Sequence, residues 1–245
     1  MKKKFKFVFQ NSLATSLIYF LLIVLGLIMI PYASYSRLNA IRVIKLYCRL
    51  VFLILKVFLK IKLDIRGFIP ENKLAIICSK HQSFLDVLML LYILPQPRFV
   101  MKSELNRIPI FSFYAKKIGC FSVQRDNKRD ALKAIIETIK KEQQETNGQL
   151  VIYPEGTRTL PGKTVEYKKG IEILFSRLKR PLFLVSTNSG LIWPQIDAFK
   201  YNGISSMHFI KKIEYNSKHS DFMMEIRKTI EDDSLRLYNL EKSRN

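Results

Sequence analysis

The sequence predicts an α/β protein, with a mostly parallel central sheet flanked by helices and an N-terminal hydrophobic helical membrane element before it. Three observations carry this expectation. Short β-branched apolar runs alternate with helical segments over about 140 residues, the pattern of a sheet built from strand–helix–strand crossovers. Residues 11–36 carry no charged side chain. The first acidic residue is Asp64, and eleven Lys or Arg precede it.

The uncharged run SLATSLIYFLLIVLGLIMIPYA is as long as a bilayer-crossing helix needs, roughly 20 residues. Lys2, Lys3, Lys4 and Lys6 precede it, and Arg37, Arg42, Lys45 and Arg49 follow it. With basic residues at both ends, the positive-inside rule gives no orientation. A single span fits, and so does a helical hairpin entering one leaflet with a bend at Pro31. A secretory signal fits less well, because the apolar run is long and no disulfide pattern follows. Residues 37–62 read as a second helix, apolar with interleaved Arg and Lys, suited to an anionic membrane surface.

After Gly67 and Pro70 the pattern changes. Strands are expected at 73–79, 98–103, 120–125, 149–156 and 181–190. Helices are expected at 83–94, 108–119, 127–148 and 169–179, with Pro109 opening one and Gly119 closing it. Residues 204–215 alternate apolar and polar and read as a sheet-edge strand, and a charged helix over about 220–242 follows. The expected organisation is a membrane-associated helical element, 1–64, and an α/β domain, 65–245.

The net charge of +21 calls for an anionic partner: a phospholipid surface, nucleic acid or a phosphorylated substrate. The basic excess is strongest beside the apolar 26-residue run, which favours the membrane and argues against nucleic acid. Cys48, Cys78 and Cys120 are scattered through apolar segments, so they read as buried free thiols, and no spacing supports a metal site.

In a parallel sheet the site lies beyond the carboxyl ends of the strands. His81, Lys102, Arg125 and Glu155 each fall just past an expected strand end. SKHQSFLD admits two compatible readings. Ser83 and Asp86 form a capping-box pattern, and Asp86 in the first helical turn can orient the His81 imidazole, leaving its other nitrogen as a general base. No Ser or Cys nucleophile elbow accompanies the pair, so the substrate would supply the nucleophile, for example a hydroxyl. YPEGTRT reads as a turn, in which Thr157 and Arg158 beside flexible Gly156 can bind a phosphate, with Arg125 completing the clamp. His208 and His219 read as structural, and Trp193 as packed.

These residues also carry a resemblance. KHQSFLD resembles the HxxxxD motif of the glycerolipid acyltransferase superfamily. MKSELNRIPIFSFYAKKIGCFSVQRD, YPEGTRT, and YKKG with PLFLVSTNSGLIWP resemble the blocks that follow it in the 1-acylglycerol-3-phosphate acyltransferases, in order, over about residues 65–200. The resemblance implies transfer of a fatty acyl group from acyl-CoA or an acyl carrier protein thioester to lysophosphatidic acid, giving phosphatidic acid at the cytoplasmic face of a membrane, with no cofactor or metal. It implies that His81 is the general base and Asp86 its partner. Arg125, Glu155, Gly156, Thr157 and Arg158 would bind the acceptor, and Lys102 phosphate or donor. Other acceptors in the same class are another lysolipid or glycerol 3-phosphate, and an inactive membrane-bound scaffold is the non-enzymatic alternative. Three departures stand out: Lys80 where Asn is common, for which a local role is expected, no proline within Leu182–Val185, and Thr159 where Ser is common.

Overall fold

The computed structural model describes residues 2–71, 74–124, 128–142, 148–215 and 221–244. Two long helices come first. Helix α1 (Lys2–Ile28) is followed by the short α2 (Ile30–Tyr35), which Pro31 opens, and by α3 (Arg37–Leu59). Ser36 caps α3 by accepting from the Asn39 N–H, and Lys60 ends it in the left-handed region at φ 57°. Strand β1 (Ile61–Gly67) follows at once.

The classical alternation then begins: β2 (Ile76–Ser79), α4 (Phe84–Ile93), β3 (Pro97–Lys102), a 3-10 turn (Ser103–Arg107), α5 (Pro109–Ile118), β4 (Phe121–Val123), α6 (Lys128–Lys141), β5 (Gln149–Ile152), α7 (Gly170–Leu178) and β6 (Leu182–Thr187). A short α8 (Ser189–Ile192), β7 (Gly203–Ile213) and α9 (Phe222–Lys242) complete the described chain.

Among the described residues the strands form one sheet in the order β1-β7-β6-β2-β5-β3-β4. Strands β6, β2, β5, β3 and β4 run parallel. Strand β7 is antiparallel to β6, and β1 runs alongside β7. Two expectations are corrected here. Residues 203–213 are not a sheet edge, because β1 covers them on the outside. The helix expected to reach residue 62 ends at Leu59, and the apolar-basic run after it is strand. That strand crosses the expected boundary between residues 64 and 65.

Alternation along the strands divides the core. Ile77, Val151, Phe183 and Val185 face one side, against α1, α3 and α4 through Ala14, Ile18, Cys48, Val51, Leu55, Leu85, Leu88 and Met89. Ile76, Cys78, Leu150, Ile152, Leu182 and Leu184 face the other, against α6, α7 and α9 through Ile135, Ile139, Ile171, Leu174, Ile226 and Ile230. Period-two strands and period-3.6 helices thus give three layers.

Residues Lys4–Ile28 of α1 are long and apolar enough to cross a membrane by length and composition. The helix is also hydrogen-bonded to the α/β domain at two places. Asn11, 2% exposed, bonds Lys200 through both its amide atoms, donating to the carbonyl at 3.1 Å and accepting from the N–H at 2.8 Å. The Lys200 ammonium donates to Thr15 at 2.8 Å. Further along, the Tyr114 hydroxyl on α5 donates to the Gly26 carbonyl at 3.1 Å. The opposite face of α1 leaves Phe5, Phe9, Tyr19, Phe20, Ile23 and Leu27 exposed.

Candidate active site

Strand β2 ends at Ser79 and α4 begins at Phe84, so residues 80–83 form the crossing loop at the carboxyl edge of the sheet. Ser83 is the N-cap. Its hydroxyl accepts from the Leu85 N–H at 3.0 Å and donates to the Trp193 carbonyl at 2.6 Å. Asp86 closes the capping box, its Oδ2 accepting from the N–H groups of Ser83 at 2.7 Å and Gln82 at 2.8 Å.

The same carboxylate holds the histidine. Oδ1 of Asp86 lies 3.0 Å from Nδ1 of His81 and accepts from the Tyr153 hydroxyl at 3.1 Å. Oδ2 also accepts from the Ser189 hydroxyl at 3.2 Å. Asp86 is fully buried, and five donors surround it. Bound to a carboxylate, Nδ1 carries the proton, which makes Nε2 the basic nitrogen. Nε2 has no hydrogen-bond partner among the described residues, and the His81 side chain is 18% exposed. One carboxylate both closes the capping box and contacts the imidazole.

The YPEGTRT segment grips His81 from both sides. Tyr153, Pro154, Glu155 and Gly156 make a turn closed by Gly156 N–H to Tyr153 carbonyl at 3.0 Å, and Gly156 takes φ 69°, which only glycine adopts freely. The turn sends Glu155 inward and leaves Gly156, Thr157 and Arg158 exposed. Glu155 Oε1 accepts from the His81 N–H at 3.2 Å. Thr159 donates to the His81 carbonyl with its N–H at 2.8 Å and its hydroxyl at 3.1 Å. A serine hydroxyl serves the same purpose, which explains why Thr159 is tolerated. The Tyr153 ring stacks on the imidazole with centroids 3.8 Å apart.

Burial raises the Glu155 carboxyl to about 7, with the Lys80 ammonium the strongest influence opposing it. Burial, with Asp86 and Glu155 nearby, pushes the Tyr153 phenol well above its ordinary value, so it stays a donor. Burial does the same to the Cys78 thiol, which is inert here.

Of the residues singled out from the sequence, His81 and Asp86 are in contact, Glu155 supports the His81 backbone, and Gly156, Thr157 and Arg158 lie on the exposed arm of the same turn. Glu155 is 3% exposed, with its Oε1 on the His81 N–H. Lys102 ends β3 on the same sheet edge with an exposed side chain, and no bond joins it to His81. Arg125 and His219 lie outside the described residues. His208 pairs with Asp233 of α9 at 3.2 Å. Trp193 is packed edge-on against Phe84, with the Lys200 ammonium 4.4 Å from its ring centre. Among the described residues no cluster of His, Cys, Asp and Glu could hold a metal ion.

The sequence alone does not mark Tyr153, Ser189, Gln82 or Lys80 as site residues. Gln82 accepts from the Gly190 N–H at 3.2 Å and so ties the His81 loop to α8. The signal for Tyr153 and Ser189 is one of position only: both sit in the quoted blocks YPEGTRT and STNSG, directly after parallel strands.

Residues 60–187, just over half of the chain, match the Acyltransferase family, and the chain belongs to it. It is 29% identical over 167 residues to the 1-acyl-sn-glycerol-3-phosphate acyltransferase of Pseudomonas aeruginosa, covering 66% of this chain and 63% of the relative. It is 31% identical over 122 residues to the lysophospholipid acyltransferase LPEAT1 of Arabidopsis thaliana, covering 46% of this chain and 30% of the relative. The chain thus spans less than two thirds of either curated relative. The crystal structure of the 1-acyl-sn-glycerophosphate (LPA) acyltransferase, PlsC, from Thermotoga maritima shares the fold, with TM-score 0.76 at 21% identity over 95% of this chain and 96% of that one.

Proposed function

We propose that the chain transfers a fatty acyl group from an acyl thioester, on CoA or an acyl carrier protein, to the free hydroxyl of lysophosphatidic acid, giving phosphatidic acid for phospholipid synthesis. The observation that carries this reading is the His81–Asp86 pair, in which Nδ1 is fixed and Nε2 is left without a protein partner. No serine or cysteine side chain bonds the imidazole among the described residues, so the attacking oxygen comes from the acceptor.

Nε2 of His81 removes the hydroxyl proton as the oxygen attacks the thioester carbonyl. Asp86 stabilises the imidazolium that forms. Collapse of the tetrahedral intermediate breaks the carbon–sulfur bond, and the imidazolium returns the proton to the leaving thiolate. The exposed arm Gly156, Thr157 and Arg158 receives the acceptor phosphate, with Arg158 suited to bidentate contact and Arg125 as its expected partner. Lys102, on the same edge, takes donor or acceptor phosphate. The reaction needs no cofactor or metal.

The membrane partner is the bilayer itself. Helix α1 is held to the domain at Asn11, Thr15 and Gly26. That supports a helix lying in one leaflet with its Phe5–Leu27 face in lipid over one that leaves the domain to cross. Both ends of a hairpin then lie on one side, the cytoplasmic side, with the site. The name of the Arabidopsis relative favours, as a second reading, a different lysophospholipid as acceptor.

Purified protein would be given labelled oleoyl-CoA or oleoyl carrier protein with lysophosphatidic acid, glycerol 3-phosphate or lysophosphatidylethanolamine. Turnover confined to lysophosphatidic acid and lost in His81→Ala is expected. Turnover on another acceptor moves the substrate. Retained turnover in folded His81→Ala removes the general base.

A further inference from the structure

Lys80 is the largest of the fully buried side chains, 1% exposed, where a lysine is rarely found unless its charge is matched. Ile76 and Cys78 of β2 point to the α6, α7 and α9 side of the sheet, and Lys80 continues that alternation beneath α9. There its ammonium donates to both carboxylate oxygens of Glu231, at 2.6 and 2.7 Å, and to the Lys163 carbonyl at 3.2 Å. Tyr167 donates to Glu231 at 3.0 Å. The third neighbour of the ammonium is Glu155, whose Oε1 lies 3.6 Å from it and accepts the His81 N–H. The other Glu155 oxygen is buried without a partner among the described residues.

One ammonium therefore lies between two carboxylates, the partly buried Glu231 on the far helix and the buried Glu155 against the backbone of the histidine. We propose that Lys80 and Glu231 are positioning residues: Lys80 keeps Glu155 as the carboxylate that clamps the His81 N–H, and Glu231 anchors Lys80 and moderates its charge, so that α9 acts on the active centre from behind the sheet. The proposal rests on the acyl-transfer reading for its effect on rate. Its electrostatic part does not. The titratable and charged groups facing Glu155 are Lys80, His81, Cys78, Tyr153, Tyr167 and, through Lys80, Glu231. Loss of the ammonium favours the protonated, neutral Glu155. Loss of the Glu231 charge does the reverse, because Lys80 then serves Glu155 alone.

The two partners thus give shifts of opposite sign, which simple damage to packing does not. The test titrates the Glu155 carboxyl by difference infrared spectroscopy in full-length protein, with Glu155→Gln to identify the band. Its midpoint should rise from about 7 in Lys80→Met and fall in Glu231→Gln. In acyl transfer, Lys80→Met should lose about tenfold in kcat at pH 7 with KM for both substrates within about twofold, and recover most of it by about pH 9. Lys80→Arg should restore the pH 7 rate if charge is what counts. Midpoints that do not move, or kcat lost equally at every pH, overturn the proposal. Opposite midpoint shifts in the two variants, with a wild type that transfers no acyl group to any acceptor, sustain the charge relation and count against the acyl-transfer reading. Should Lys80→Met fail to fold, Glu231→Gln, nearly isosteric, carries the test alone by its downward shift.

Discussion

Tyr153 touches both members of the His81–Asp86 pair: its ring stacks on the imidazole at 3.8 Å and 14°, and its hydroxyl donates to Asp86 Oδ1 at 3.1 Å. The stack fixes the plane of the histidine, and the hydrogen bond fixes the carboxylate that orients it.

These two contributions separate by substitution. Tyr153→Phe keeps the stack and loses one of five donors to Asp86, so kcat should fall about three- to tenfold with little change in KM. Tyr153→Leu loses both and should fall further. Steady-state kinetics at saturating donor would show it, and equal rates for the two variants would mean that the ring's orientation does not matter.

Asp86→Asn retains the shape of the helix cap but no longer matches an Nδ1–H histidine. It should lower kcat by about 10²–10⁴. Ser83→Ala, in contrast, removes a cap and should cost about 1 kcal/mol of stability, plus the effect of leaving the Trp193 carbonyl unpaired. Thermal melts alongside kinetics would separate catalytic from structural loss.

Glu155 makes stability depend on pH in a predictable sense. Its folded value, about 7, lies above the ordinary 4.5. A raised carboxyl contributes stability that is fully present below its unfolded value and lost as pH rises through its folded one. The difference in melting temperature between wild type and Glu155→Gln should therefore turn against wild type as pH rises from 4.5 to about 7, and level off above. The full swing corresponds to roughly 3 kcal/mol at most. A pH-independent difference would contradict the burial of an ionisable Glu155.

Asn11→Leu makes α1 more apolar and yet should weaken the protein. It leaves the N–H and carbonyl of Lys200 unpaired in a buried place, a loss of about 1–3 kcal/mol. The variant should stay in the membrane fraction on sedimentation while melting earlier. Unchanged melting would show that α1 is held by its apolar contacts alone.

Much of this was legible beforehand because the relevant signals are local. Alternation of strand and helix, Pro109 and Gly119 around α5, and the capping pattern of Ser83 and Asp86 all lie within a few residues. Strand β1 is not legible because Leu55, Leu59, Ile61 and Leu63 continue the apolar-basic run of α3, and only Lys60 in a left-handed conformation marks the break. The interior place of β7 follows from pairing with that same strand, so the two are hidden together. Lys80 looked like a local variation. Its partner Glu231 is 151 residues away, a separation at which no pattern in the sequence speaks.

The bond between Asn11 and Lys200 also has a bearing on biosynthesis. Its ends are 189 residues apart. At about 5–20 residues per second, a ribosome leaves α1 without that partner for ten seconds or more. The helix therefore has to find lipid, or a chaperone, well before the loop that will hold it exists. Shielding of the apolar face of α1 comes first and docking second, so the α/β domain closes onto a helix that is already engaged.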